Sequence, residues 1–293
     1  MRKILVLRGG ALGDFIVTLP ALSLLRTRWP QAEVHLVGNA TAATLAFHRG
    51  LLTAVHSQHE GRWAALHGEG PLPPEFAAWL TDFDLILNFW PDPAGDLGRR
   101  FPLRPDQAYL VAAALPEISP AAAHYCAPLA RFGIKASDLV YPLRPLAGRP
   151  VGERQGITVH PGSGSARKNW PPSRWLELLR SLPPPVDLIL GEVEADAWSD
   201  PDLPGVRRLV CQPLETLVDH LSTTRLFLGH DSGISHLAVA CGAPSLLLFG
   251  PTDPAMWAPP SPACRVIRVG PDLAAISLAH VQAVVREQLR EST

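Results

Sequence analysis

Short apolar runs alternate with longer amphipathic stretches along the chain, and the runs end in glycine-bearing or polar loops. KILVL (3–7) predicts a strand, followed by the loop RGGALGD (8–14). In FIVTLPALSLLRTRWP (15–30), Ile16, Leu19, Leu22, Leu25 and Trp29 recur at helical spacing. Pro20 falls about one turn in and is expected to kink that helix. AEVHLVG (32–38) is the next strand, and β-loop-α-β units of this kind build parallel sheets. LTAVHS (52–57) and FDLILNF (83–89) predict further strands, PDPAGDLGRR (91–100) a loop, and DQAYLVAAAL (106–115) a helix.

YPLRPLAGRPVGERQ (141–155) has prolines, glycines and arginines without periodicity, so residues 142–155 predict an interdomain linker. The alternation then restarts. GITVHPG (156–162) is a strand running into the polar loop SGSARKNW (163–170), and PPSRWLELLRSL (171–182) is a helix with proline at its start. VDLILG (186–191), GVRRLV (205–210), RLFLGHD (225–231) and PSLLLFG (244–250) predict strands. LETLVDHLSTT (214–224) and SGISHLAVACG (232–242) predict helices, the second capped by Gly242. LAAISLAHVQAVVREQLR (273–290) is a terminal helix, with packing back onto the N-terminal domain as one expected course. The expected organisation is an α/β chain of two doubly wound domains, 1–141 and 156–293, joined by the linker 142–155. In open sheets of this kind, ligands sit at the carboxyl ends of the strands.

The bulk numbers narrow the function classes. At 293 residues with 47% hydrophobic and 18% charged, the chain has material for two cores and no signature of disorder. A net charge of −1 argues against nucleic acid as partner. The cysteines Cys126, Cys211, Cys241 and Cys264 are far apart and form no CxxC, so free thiols in a reducing cytosol are expected. The basic start MRK precedes too short an apolar run for a signal peptide, and no run of about 18 apolar residues exists to span a membrane. A cytoplasmic protein, with peripheral membrane contact left open, is the expectation.

Chemistry-bearing residues cluster after four strands. In RGGALGD, Gly9, Gly10 and Gly13 permit a tight turn, but Arg8 stands where a dinucleotide fingerprint needs its first glycine. Asp14 reads either as a first-turn acid favoured by the helix dipole or as a carboxylate able to accept a proton. Ser163, Gly164, Ser165 and Lys168 suit a diphosphate, although Arg167 rules out the glycine a Walker loop places before its lysine. In GHDSGISH (229–236), His230 breaks both the GxSxG and the GDSGG patterns, which excludes the common serine-hydrolase motifs. A strand, a Ser-Gly turn and a helix start there favour an anion at the free N–H groups, with Asp231 receiving sugar hydroxyls or capping the helix. Glu192 and Glu194 follow another strand, where an acid can hold a ribose diol.

GDFIVTLPAL (13–22), HPGSGSARKNWPPSRW (160–175) and DSGISHLAVACGAPSLLLFGPTDP (231–254), in this order, resemble glycosyltransferase family 9, which includes the ADP-heptose:lipopolysaccharide heptosyltransferases. The resemblance runs from about residue 3 to 260. It implies a GT-B fold, two Rossmann-like domains facing across a cleft, and inverting transfer without a metal or other cofactor. It implies Asp14 as general base and Lys168 as the cation that neutralises the donor diphosphate. Ser163, Ser165, Asp231, Ser232, Gly233 and His236 would bind the donor's phosphates and sugar, and Glu194 or Glu192 its ribose. Gly13 and the local cations Arg99, Arg100 and Arg104 are the candidates for a phosphorylated glycan or glycolipid acceptor. The expected protein is a monomer using ADP-heptose as donor substrate. An epimerase of the same fold and a non-catalytic nucleotide-sugar binder are the rival readings.

Overall fold

The central strand of the first unit is apolar on both faces because helices cover both sides of it. β1 (Lys3–Arg8) is buried from Ile4 through Arg8. In a computed structural model describing residues 1–146, 152–198 and 203–291, the chain divides into two compact units, Met1–Tyr141 and Pro142–Thr293. Residues 147–151 of the predicted linker lie outside the described ones. Its first part is anchored: Leu143 is buried, and its amide donates to the Ala240 carbonyl at 2.9 Å.

In the first unit, β1, α1 (Leu12–Ile16), α2 (Leu19–Arg28), β2 (Glu33–Gly38), α3 (Ala40–Phe47), β3 (Ala54–Ser57), α4 (Pro74–Thr81), β4 (Leu85–Asn88), α5 (Asp96–Arg100), β5 (Ala108–Val111) and α6 (Ala121–Cys126) follow one another. The strands form one parallel sheet in the order β3-β2-β1-β4-β5. The predicted first helix divides at Val17 and Thr18, and Pro20 sits in the first turn of α2 rather than at a kink. A proline there forfeits only an N–H that has no helical partner anyway. The predicted loop 91–100 contains α5, whose amides at Leu97 and Gly98 each donate to the Asp92 carboxylate at 2.9 Å.

The predicted helix 106–115 is corrected to the edge strand β5, which pairs with β4 from Leu85↔Ala108 to Asn88↔Val111. Its alanines favour a helix locally, but the open edge of β4 offers a ladder of backbone hydrogen bonds, and tertiary pairing overrides the weak propensity.

The second unit contains β6 (Gln155–Val159), α7 (Pro172–Ser181), β7 (Val186–Leu190), α8 (Glu192–Ala197), β8 (Val206–Val210), α9 (Leu214–Ser222), β9 (Thr224–His230), α10 (Gly233–Ala240), β10 (Ser245–Leu248), α11 (Pro254–Trp257), β11 (Cys264–Ile267) and α12 (Leu278–Glu291). Its parallel sheet has the order β11-β10-β9-β6-β7-β8. The connections reverse direction between β6 and β9, as they do between β1 and β4 in the first unit. Each reversal opens a crevice at the carboxyl ends of the two central strands. The terminal helix α12 buries Val281, Val284 and Val285 in the second unit's own core, beside Trp170 and Trp175. Its apolar face is therefore occupied within this unit. Gly242 ends α10 with φ +77°, as its position in the sequence predicts.

His35 on β2 and His56 on β3 lie ring to ring, with Nδ1 and Nε2 3.2 Å apart, among Trp63, Trp79 and Phe83. Burial pushes both imidazoles below their ordinary value. For His35, Lys3 adds to the shift, while Glu33 and Asp82 oppose it. For His56, Arg62 and His35 add to it and Glu60 opposes it. The folded state thus prefers the neutral rings. This contribution is fully present above the unfolded value of about 6.5 and is lost as pH falls from there through the folded values. Urea unfolding at a series of pH values should show stability falling below about pH 6.5, and the double variant His35→Asn, His56→Asn should flatten that fall.

Candidate active site

In the first unit, the loop after β1 brings a carboxylate to the crevice by backbone constraint. Gly10 has φ +103°, and a Cβ there would lie 2.6 Å from the Asp14 carboxylate, so both conformation and space require glycine. Asp14 lies in the first turn of α1 and accepts the Ala11 N–H at 2.9 Å through Oδ2. Its Oδ1 accepts from Arg8 Nη2 at 3.1 Å, and its side chain remains 35% exposed. The capping and chemical readings of Asp14 are therefore compatible: each oxygen holds one donor, yet the group still faces solvent. Gly13 precedes it inside α1.

Two residues not singled out in the sequence approach the same loop. A Cβ on Gly9 would meet Gln58 Oε1 at 3.1 Å and Trp90 Nε1 at 3.6 Å. Gln58 follows the carboxyl end of β3 and Trp90 that of β4, so strand-end position was the signal available for both.

The predicted acceptor arginines do not converge. Arg104 contacts Asp84 and the Thr81 carbonyl, and Asp84 accepts from the Lys3 amide where β1 begins. Arg104 thus sits at the amino end of the sheet, away from Asp14. Arg100 donates to the carbonyls of Ala65, Glu69 and Gly70, holding that loop. Arg99, at 67% exposed, pairs with Asp96 and is the most accessible of the three.

In the second unit, the loops after β6 and β9 meet at the reversal point. Lys168 Nζ donates to Asp231 Oδ2 at 2.7 Å, and the Asp231 side chain is only 8% exposed. His236 Nε2 lies 4.0 Å from the other Asp231 oxygen. Ser232 caps α10, accepting the Ser235 N–H at 3.3 Å, and Gly233 opens the helix. Ser163 Oγ lies 2.6 Å from Asn169 Oδ1 and 2.8 Å from the Ser165 carbonyl, and accepts the Ser165 N–H, which shapes the serine loop from within.

Glu194 accepts the Gly191 N–H at 3.1 Å and lies against Gly162, where a Cβ would come within 2.0 Å of its carboxylate. It is thereby turned toward the loop after β6, whereas Glu192 is exposed. These contacts bring Lys168, Asp231 and His236 together and place Glu194 beside the adjoining loop. Among the described residues, no group of three or more His, Cys, Asp or Glu side chains is arranged to hold a metal ion.

His230, which breaks the hydrolase motifs, fastens this region. Its buried ring accepts the Trp170 amide at 2.8 Å and the Trp175 indole N–H at 3.2 Å, both through Nε2. Burial pushes its pKa down to about 3, so the ring remains a neutral acceptor across the ordinary pH range. Adjacent residues of β9 and its loop thus grip residues 168 and 170: Asp231 by charge and His230 by hydrogen bond.

The model of glycosyltransferase family 9 (heptosyltransferase) matches residues 207–280, a segment that includes Asp231, Ser232, Gly233 and His236. No curated protein matches the chain. Among solved structures, the glycosyl transferase family 9 protein from Veillonella parvula is similar, with a TM-score of 0.77 at 18% identity, over 99% of this chain and 98% of that one. E. coli heptosyltransferase WaaC with ADP gives 0.72 at 18% identity, over 98% and 99%. E. coli ADP-heptose lps heptosyltransferase II gives 0.72 at 19% identity, over 99% and 100%. These likenesses show the GT-B fold, and the family model bears out the resemblance to glycosyltransferase family 9 over residues 207–280.

Replacing His230 by Phe leaves two buried N–H groups without their acceptor. Urea unfolding should show a loss of about 1–3 kcal/mol for each. His230→Gln retains an acceptor and should recover part of that loss.

Proposed function

We propose that the chain is an inverting, metal-independent glycosyltransferase that moves heptose from ADP-heptose to a hydroxyl of a lipopolysaccharide inner-core or related glycan. The observation that carries this reading is the 2.7 Å pair of Lys168 and Asp231 at the reversal point of the second sheet, beside the start of α10. A nucleotide-sugar presents an anionic diphosphate next to a hydroxyl-rich sugar. A cation and a carboxylate side by side match those two chemistries. Support also comes from the family match over residues 207–280 and from the fold shared with WaaC, solved with ADP.

In the proposed reaction, the acceptor oxygen attacks the anomeric carbon opposite the departing ADP. The new C–O bond forms as the bond to the diphosphate breaks, and the acceptor's proton passes to Asp14. Lys168 balances the charge growing on ADP, assisted by the N–H groups at the start of α10. Released from Lys168, Asp231 accepts hydroxyls of the donor sugar, with His236 beside it. Ser163 and Ser165 bind phosphate oxygens, and Glu194, already turned toward that loop, accepts the ribose diol.

On the acceptor side, Gln58, Trp90 and Arg99 replace the three-arginine set expected from the sequence. Among the described residues, no helix is long and apolar enough to cross a membrane. A glycolipid acceptor would therefore be met by surface contact, with the protein acting as a monomer.

Calorimetric titration without added metal should show ADP and ADP-heptose binding in preference to UDP-N-acetylglucosamine and GDP-mannose. Preference for UDP or GDP would discard the heptose, and binding of none would favour a non-catalytic relative. Lys168→Ala should weaken ADP binding by about 1.5–3 kcal/mol, toward the lower end because Lys168 exchanges one anionic partner for another. Asp14→Ala should abolish transfer while leaving donor affinity nearly intact; undiminished turnover would remove Asp14 as base.

A further inference from the structure

Along the chain, Arg8 stands where a dinucleotide fingerprint would have its first glycine. In the structure it is a charged side chain 4% exposed at the carboxyl end of β1. Its Nε lies 3.1 Å from Thr18 Oγ1 and 3.2 Å from the Asp14 carbonyl. Its Nη2 donates to Asp14 Oδ1 at 3.1 Å and to Tyr125 Oη at 3.0 Å. Its Nη1 reaches the Ala114 carbonyl at 3.5 Å, and the guanidinium stacks over the Tyr125 ring at 4.3 Å from the centroid. Tyr125 is fully buried and its hydroxyl donates to the Ala114 carbonyl at 2.8 Å.

Burying a guanidinium is costly unless its donors are met, and an apolar residue in such a place is often as stable or more so. Capping does not require it. Glu194 of α8 accepts the Gly191 amide in the same way that Asp14 accepts that of Ala11, without a lysine or arginine paired to it among the described residues. What distinguishes Asp14 is that its two oxygens are held from two sides, by the Ala11 amide and by a planar fork that is itself clamped by Thr18 and Tyr125.

We propose that Arg8 is a positioning residue that holds the Asp14 carboxylate in the single orientation from which it accepts the proton of the attacking hydroxyl. This rests on the reading of Asp14 as the base. Tyr125 and Thr18 serve it by fixing the plane of the guanidinium. A lysine keeps the charge but cannot span the same acceptors.

The test compares Arg8→Lys, Tyr125→Phe and Asp14→Ala, each checked for its melting temperature. ADP release is followed with ADP-heptose as donor and deacylated lipopolysaccharide inner-core glycan as acceptor. Arg8→Lys should lower kcat by about 10- to 100-fold, the scale of a displaced catalytic group, with the donor KM within about twofold. Tyr125→Phe, which removes one of the fork's anchors and keeps the ring, should give a smaller loss of the same kind. A second readout needs no turnover: the crystal structure of Arg8→Lys should show Asp14 turned away from the Ala11 amide or split between rotamers. An Arg8→Lys protein with Asp14 unmoved, or with normal kcat while Asp14→Ala is inactive, overturns the proposal alone. Full turnover in Asp14→Ala overturns the base assignment and the proposal with it.

Discussion

Parallel strands deliver every following loop to the same edge of their sheet, and where the crossovers reverse direction two of those loops are left without a helix between them. Each unit of this protein obeys that constraint, with reversals between β1 and β4 and between β6 and β9. Asp14 follows β1, Lys168 follows β6 and Asp231 follows β9. Residues 63 positions apart in sequence meet at 2.7 Å because their strands are neighbours in the sheet. The candidate chemistry is therefore a consequence of strand order before it is a property of any side chain.

The polar groups around these loops are held by buried partners. His230 stays neutral because it is buried, and a neutral ring can accept the Trp170 amide two residues beyond Lys168. The Arg8 guanidinium is surrounded instead by acceptors, with the Tyr125 ring against its face. One region uses burial to keep a ring neutral, and the other surrounds a guanidinium with hydrogen-bond acceptors. Both devices fix the geometry of an adjacent, more accessible residue, which is the general arrangement that lets a reacting group stay partly open yet ordered.

The same accounting separates the arginines. Arg104 is tied to the amino end of the sheet and Arg100 to backbone carbonyls of residues 65–70, so neither presents a free cation beside Asp14. Around Gly9 the groups at hand are instead an amide and an indole, Gln58 and Trp90. Neutral donors and acceptors of this kind suit hydroxyl groups, which supports the glycan acceptor proposed above.

Local pattern alone marked most strands and the longer helices, because buried parallel strands read as unbroken apolar runs and amphipathic helices keep their spacing, but it passed over the short edge strand β11 and the helices α3, α4, α6 and α11. It also marked the glycine- and serine-rich loops, the break near residue 141 and the capping glycine at position 242. Where it failed, the deciding force was not local: the alanine-rich 106–115 became an edge strand because β4 had unpaired backbone groups to offer. Arg8 and His230 were legible only as departures from familiar motifs, since a residue's partners more than a hundred or some sixty positions away leave no periodic trace. Tertiary structure alone decided that Glu194 turns inward while Glu192 faces solvent, that Arg104 lies at the far end of its sheet, and that Lys168 rests on Asp231. Strand order and the filling of buried space set those contacts, and neither is encoded in the spacing of residues along the chain.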